Sequence, residues 1–467
     1  MRPLGNALST IGGVALILNS HLITSREEIG EENFEKLTIP NPVYFNNEKL
    51  GFSNWGVSPT LKLYEENKYG ELILPRNAPV VYAEHEILDQ RVKGTSIKVK
   101  SVIDLREDQK PAVDAVMQAG DGILQAGTGK GKSVMACEVI ARFGKTTMIL
   151  VHKEFLMDQF TGHLKGWLGL TDDEIGYCRG NPRTWNWQGK KVVIGMLQSI
   201  YAHIDNLPVG FVQYFGMVIS DECHRVSAST WSQVIAIFPC WKRLGLTATP
   251  KRSDGLELVF HYHLGGILYQ LVGVNMKPRV QIVRTRLTDK DLQGIETRGN
   301  VNMAKLISQI AQNEERNQKI LKLLYTAIRS GRKIIVLSDR RGHSEWLKLA
   351  FDHNKQALGL EHIQTRMYVG GMPKDKRQEA EKNGQILFAT FQMAKEGLDI
   401  PSLDTLFLVT PNSAEITIEQ SLGRIARSAE GKMNPMVVDF LDSQINICNA
   451  LFNKRLKVYR KLDLEVQ

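Results

Sequence analysis

The run Gln125-Ala126-Gly127-Thr128-Gly129-Lys130-Gly131-Lys132-Ser133 gathers the residue types that a phosphate chain needs. Small residues let successive backbone N–H groups turn inward, and a following helix N-terminus adds a favourable dipole. A short apolar stretch precedes the run and a helical pattern over residues 134–143 follows it, the setting that such a loop requires. Of the two Gly-Lys pairs, only Gly131-Lys132 is followed by a hydroxyl. In that register Lys132 reaches the β- and γ-phosphates of a nucleotide and Ser133 holds Mg²⁺. The strict pattern asks for Gly where Ala126 stands, and a glycine-rich turn ahead of an ordinary helix is the bland alternative.

A second chemical cluster, Asp221-Glu222-Cys223-His224, follows the apolar run 217–219. The end of a parallel strand is where a metal-holding carboxylate faces such a loop. Asp221 is then the Mg²⁺ ligand, and Glu222 orients or deprotonates the attacking water. His224 alone reads as an ordinary polar contact; in this setting it is a candidate link between nucleotide state and domain closure.

These residues need a sheet to hold them. Short apolar runs at 122–125, 147–151, 192–196, 217–220 and 244–247 alternate with helical stretches. A second series starts near residue 280 and includes 333–337, 386–389, 405–409 and 435–440. Such alternation predicts mostly parallel sheets covered by helices on both faces, in two units joined near residues 270–280. Residues 1–98 differ: short β-like runs at 14–18, 72–74 and 80–82 are punctuated by turns such as Pro40-Asn41-Pro42. The division expected is a small, mostly β accessory domain over 1–98, an ATP-binding domain over 99–275 and a second α/β domain over 276–467.

In their order along the chain, over roughly residues 104–440, these motifs resemble the superfamily 2 helicases with a DECH box. The resemblance implies two tandem RecA-like domains and ATP with Mg²⁺ as cofactors. It makes Leu105-Arg106-Glu107-Asp108-Gln109 the adenine motif, with Gln109 the base contact and Arg106 its helper. The family commonly starts its phosphate loop with Ala, which accounts for Ala126. Segments around His152-Lys153 and Gln198-Ser199 are similar to strand-tracking motifs, which makes His152, Lys153 and Gln198 DNA contacts. Leu246-Thr247-Ala248-Thr249-Pro250 is similar to the coupling motif, through Thr247 and Thr249. In the second half, residues 389–401 resemble the motif in which Thr390 touches a nucleic-acid phosphate and Gly397 and Asp399 meet the nucleotide. Gln420-Ser421-Leu422-Gly423-Arg424-Ile425-Ala426-Arg427 resembles the arginine-finger motif. The resemblance implies that Gln420, Arg424 and Arg427 act at the γ-phosphate, where two guanidiniums stabilise charge developing in the transition state. A surface helix with arginines three apart is the bland reading of that pair.

Thr247-Ala248-Thr249-Pro250-Lys251-Arg252-Ser253-Asp254-Gly255 is similar to the branch containing XPB and UvsW, and the leader around Pro40-Asn41-Pro42 resembles that of the phage T5-type branch-migration helicases. Members act on double-stranded or branched DNA with 3′ to 5′ polarity. The activity expected is therefore ATP-dependent unwinding or branch migration of forks and four-way junctions in replication, recombination or repair. The partners expected are DNA and replication or recombination proteins, with the chain acting as a monomer. An RNA helicase, a double-strand translocase that separates no strands, and a non-motor ATP binder are the rivals. Arg179, Arg183, Trp185, Trp187, Lys190 and Lys191 interleave bases with aromatics, as a single-strand stacking surface would. A packed hairpin is the preferred reading of that stretch, and core or surface packing that of Trp231 and Trp241.

Composition agrees with a nucleic-acid enzyme without requiring one. The net charge is +9, and the first 98 residues carry 10 Lys+Arg against 12 Asp+Glu, so the basic excess lies in the remainder. Five cysteines show no CxxC pair or metal-ligand spacing, which suits reduced thiols. Residues 14–18 are too short for a membrane span and lack the flanks of a signal peptide. A cytoplasmic location, in a bacterium or a phage-infected host, is expected.

Overall fold

The computed structural model describes residues 16–80, 87–127, 129–222, 228–248, 256–271, 276–297, 300–395, 400–412, 414–427 and 431–467. Two compact units emerge: Met1–Ala126 with Gly131–Val272, and Gly273–Gln467 with Gly127–Lys130. The architecture is the expected α/β one, with a parallel sheet in each unit and a small mixed N-terminal sheet.

The first unit's main sheet has seven parallel strands in the order Ile175–Cys178, Val192–Met196, Thr147–Val151, Met217–Asp221, Lys242–Thr247, Gly122–Ala126, Ile267–Leu271. Successive side chains of a strand point to opposite faces, so each strand feeds two cores. Leu124, Ile149, Val151, Ile219 and Leu246 join helices Lys132–Phe143 and Glu154–Leu168 on one face. Ile123, Met148, Leu150 and Val218 pack on the other face against Phe211, Phe215 and Trp231. Burial on both faces is why these strands read as unbroken apolar runs.

The N-terminal sheet runs Glu65–Glu66, Glu71–Pro75, His21–Ser25, Leu16–Leu18, Ile87–Asp89. It also carries two helices, Arg26–Lys36 and Pro42–Leu50. Pro40-Asn41-Pro42, read from sequence as a turn, starts the second of these: Asn41 caps the Val43 N–H and Pro42 occupies the first helical turn, where no N–H is needed. Residues 81 and 82 of the expected run 80–82 lie outside the described residues.

This sheet is bolted to the first unit's main sheet. Arg76 forks onto Asp121, with Nε to Oδ2 at 2.7 Å and Nη2 to Oδ1 at 2.5 Å, and its Nη1 donates to the Cys240 carbonyl. Arg243, fully buried, donates to the Ser20 carbonyl at 2.6 Å. Asp121 directly precedes the strand that leads into the phosphate loop. Burial, with the Arg243 and Arg76 charges, pushes the His21 imidazole down to about 4. The same causes hold His263 well below its usual range.

The second unit's sheet is also all parallel, in the order Arg279–Arg284, Met436–Leu441, Thr405–Leu408, Ile334–Ser338, Ile386–Thr390, Thr365–Tyr368. Helix Asn446–Lys461 crosses it, and its Arg455 makes a buried bidentate pair with Asp439, both contacts at 2.9 Å. Tyr459 donates to the same carboxylate at 2.7 Å.

Strands Ile175–Cys178, Ile267–Leu271 and Thr365–Tyr368 were not foreseen, and each lies at a sheet edge. Ile267–Leu271 and Thr365–Tyr368 leave several positions partly or fully exposed, as edge strands do, while Ile175–Cys178 is mostly buried but only four residues long with a glycine in it, so none stands out as an apolar run. Trp185 and Trp187 are buried against Phe211 in a core, as the packing reading expected. The flanking strands Ile175–Cys178 and Val192–Met196 pair in parallel, however, so the stretch between them is a crossing connection and not a hairpin, and Arg179 and Arg183 stay exposed. Trp231 is likewise core, while Arg91 and Lys93 lie over the Trp241 ring.

Candidate nucleotide and nucleic-acid site

The phosphate loop leaves strand Gly122–Ala126 and enters helix Lys132–Phe143. Gly129 and Gly131 sit at φ 83° and 82°, a left-handed conformation that side chains disfavour. Gly131 is further constrained because a Cβ there would lie 2.4 Å from Nε2 of Gln109. Gln109 is 1% exposed, and its Oε1 accepts from the Arg106 backbone N–H at 3.1 Å. The segment around Gln109 and the glycine-rich loop are thus packed together, with bare backbone on the loop. Such a cradle fits a nucleotide's phosphates, and Arg106, Gln109, Gly127, Gly129, Lys130, Gly131, Lys132 and Ser133 are the described residues that would hold it. Thr128 lies outside the described residues.

Lys132 Nζ donates to the Ala126 carbonyl at 3.0 Å and lies 3.4 Å from Glu222 Oε1. Glu222 has φ 47°, one of two non-glycine residues with positive φ among the described residues. Such a conformation costs free energy and persists where the surroundings enforce it. Asp221 ends strand Met217–Asp221 opposite Leu246, and Thr247, 1% exposed, pairs with Gln125. The loop, the two carboxylates and Thr247 therefore share the carboxyl edge of three neighbouring strands, where open α/β sheets bind ligands. His224 and Thr249 lie outside the described residues.

On the same sheet, Gln198 Nε2 donates to the His152 carbonyl at 3.0 Å. The two segments read as strand-tracking motifs are thereby joined, with Lys153 at the N-terminal boundary of helix Glu154–Leu168.

In the second unit Thr390 ends strand Ile386–Thr390 and is half-buried. Gln420, 2% exposed, and Arg424 lie on helix Glu415–Ile425. Arg427 falls beyond that helix, past the capping residue Ala426, so the two arginines do not share one helical face. Gly397 and Asp399 lie outside the described residues. Sequence reasoning missed Lys432, whose Nζ donates to the carbonyls of Pro401 at 2.8 Å and Arg427 at 2.7 Å. No local pattern marks a lysine that acts across such a turn.

Comparison with known proteins bears on the family and the fold. Residues 102–252 match the model of the type III restriction enzyme res subunit, and residues 315–429 match the helicase conserved C-terminal domain. The chain is 27% identical to a putative ATP-dependent RNA helicase, L396, of Acanthamoeba polyphaga mimivirus, over 97% of this chain and 84% of that one. It is 24% identical to the probable helicase D10 of Escherichia phage T5, over 77% and 76% respectively. It is 28% identical to the DNA 3′-5′ translocase XPB2 of Sulfurisphaera tokodaii, over 37% of each. In fold it is similar to S. cerevisiae Dbp5 bound to RNA and ADP BeF3, with TM-score 0.54 and 12% identity over 77% of this chain and 88% of that one. No helix among the described residues is long and apolar enough to cross a membrane. The chain belongs to the superfamily 2 helicases, resembles their phage, viral and XPB-type members, and is by that membership an ATP-hydrolysing helicase.

Proposed function

We propose that this helicase is a DNA motor that unwinds or branch-migrates forks and four-way junctions with 3′ to 5′ polarity. The observation that carries the ATP-driven part is the shared carboxyl edge, where Lys132, Asp221 and Glu222 meet a loop kept bare at Gly131 by Gln109. In this reading Ser133 and Asp221 hold Mg²⁺, Glu222 takes the proton of the attacking water, and Arg424 and Arg427 offset charge on the γ-phosphate. ATP supplies a phosphoanhydride whose cleavage drives the cycle. Thr247, with Thr249 and His224, passes the nucleotide state to the grip on nucleic acid. His152, Lys153, Gln198 and Thr390 contact the tracked strand. Residues 1–98 form an accessory element that accompanies the first motor domain, over 99–275, while 276–467 form the second.

The choice of DNA is supported by the XPB-type relative and by the basic excess after residue 98. The mimivirus relative's description favours RNA as a second reading. A panel of forks, four-way junctions, blunt duplexes and RNA hybrids, with ATP turnover and product release measured together, separates the two. The DNA reading expects faster product release on forks and junctions, and turnover stimulated by DNA. Stimulation by RNA alone would support the rival, and equal release on every substrate would refute the preference for branches.

A further inference from the structure

Arg427 stands two residues beyond the last residue of helix Glu415–Ile425. Contacts from elsewhere in the second unit hold this segment. The Met276 N–H donates to the Ala426 carbonyl at 3.0 Å. The half-buried Lys432 donates to the Arg427 carbonyl at 2.7 Å and to the Pro401 carbonyl at 2.8 Å. Gly431, at φ 67°, allows the turn that brings Lys432 back over this segment. One ammonium thus ties the arginine-bearing segment to the end of the 389–401 segment, and a cationic donor makes both hydrogen bonds stronger than a neutral one would.

We propose that Lys432 is a positioning residue for ATP hydrolysis: it holds the backbone of Arg427 where that side chain acts and couples it to the segment ending at Pro401. The inference rests on the reading of Arg427 as a finger. It differs from that reading in assigning the finger's placement to a side chain outside the motif. A charge held half-buried also titrates early. Burial pushes the Lys432 ammonium down to about 8, with Asp404 opposing that shift and Arg427 adding to it. Asp404 is itself shared with Arg332 at 3.3 Å. The clamp is therefore half charged at about pH 8, mostly charged a unit below and mostly neutral a unit above.

The test is steady-state ATP turnover by the full chain with saturating forked DNA, from pH 6.5 to 9.5. It compares wild type, Lys432→Met, Lys432→Arg and Arg427→Ala, with melting temperature recorded for each. Lys432→Met is expected to lower kcat roughly 10-fold or more while KM for ATP moves less than about 3-fold, because an interaction made in the transition state is weakened. Wild type is expected to lose turnover through a limb near pH 8. Lys432→Arg, whose charge persists, restores most of kcat and shifts that limb upward. If Arg427→Ala is inactive while Lys432→Met keeps wild-type kcat and the same limb, this inference fails and the finger reading stands. If Arg427→Ala turns over ATP normally, the finger reading fails and takes the inference with it. Should Lys432→Met not fold, the wild-type and Lys432→Arg profiles decide: superimposable profiles overturn the proposal.

Discussion

Gly131 and Glu222 both hold a positive φ at the site. Gly131 combines a positive φ with a missing Cβ that would collide with Gln109. Gly131→Ala should therefore weaken nucleotide binding about 10-fold or more, since a left-handed Ala costs roughly 1–2 kcal/mol before any clash is counted. Fluorescent-nucleotide titration measures this, and unchanged affinity would contradict the packing described. Glu222→Gln keeps the size of the side chain but removes the base that the proposed function assigns to Glu222. Nucleotide should still bind while turnover falls about 100-fold or more, which a binding titration run beside an ATPase assay resolves. Both residues were legible in the sequence, because glycines before Lys-Ser and paired carboxylates after a strand are local patterns. The contact between Gln109 and Gly131 was not, since it joins distant segments through side-chain packing.

The joint between the N-terminal sheet and the main sheet is the most charged buried element of the first unit. Arg76 and Asp121 have side chains only 1% and 4% exposed. Removing Arg76 leaves the buried Asp121 carboxylate without its guanidinium, with the Asn77 amide and the Arg243 N–H still donating to it. Arg76→Ala should therefore cost about 3 kcal/mol of stability, read as a lowered denaturant midpoint. His21 adds a pH dependence. It stays neutral in the folded chain down to about pH 4, whereas the unfolded chain binds its proton near the ordinary value of 6.5. Stability present above pH 6.5 is then lost as pH falls towards 4, and His263 acts in the same direction. Urea melts at pH 7 and pH 5 should show this loss, and His21→Gln should reduce the difference. Equal midpoints for wild type at both pH values would contradict it. The buried strands were readable as apolar runs, because both of their faces are covered. The edge strands, the N-terminal helices and this joint were not. Edge strands are short or mixed in residue type, Arg26–Lys36 is highly charged, and a buried Arg-Asp pair looks in sequence like two ordinary surface residues.

For the whole molecule, the order of motifs made the α/β architecture and the ATP chemistry readable, because the glycine-rich loop, the paired carboxylates, Thr247 and Thr390 each sit at a strand end that the neighbouring apolar run announces. Substrate preference was less legible, since it depends on surfaces assembled from many segments. The central claim is that ATP turnover at Lys132, Asp221 and Glu222, assisted by Arg424 and Arg427, drives movement on nucleic acid. Its most direct test is strand separation on a forked DNA with ATP and Mg²⁺, comparing wild type with Lys132→Ala and Arg427→Ala at equal DNA occupancy. The account predicts ATP-dependent product from wild type and none above background from either variant, although both still bind the fork. Full strand separation by Lys132→Ala would contradict it.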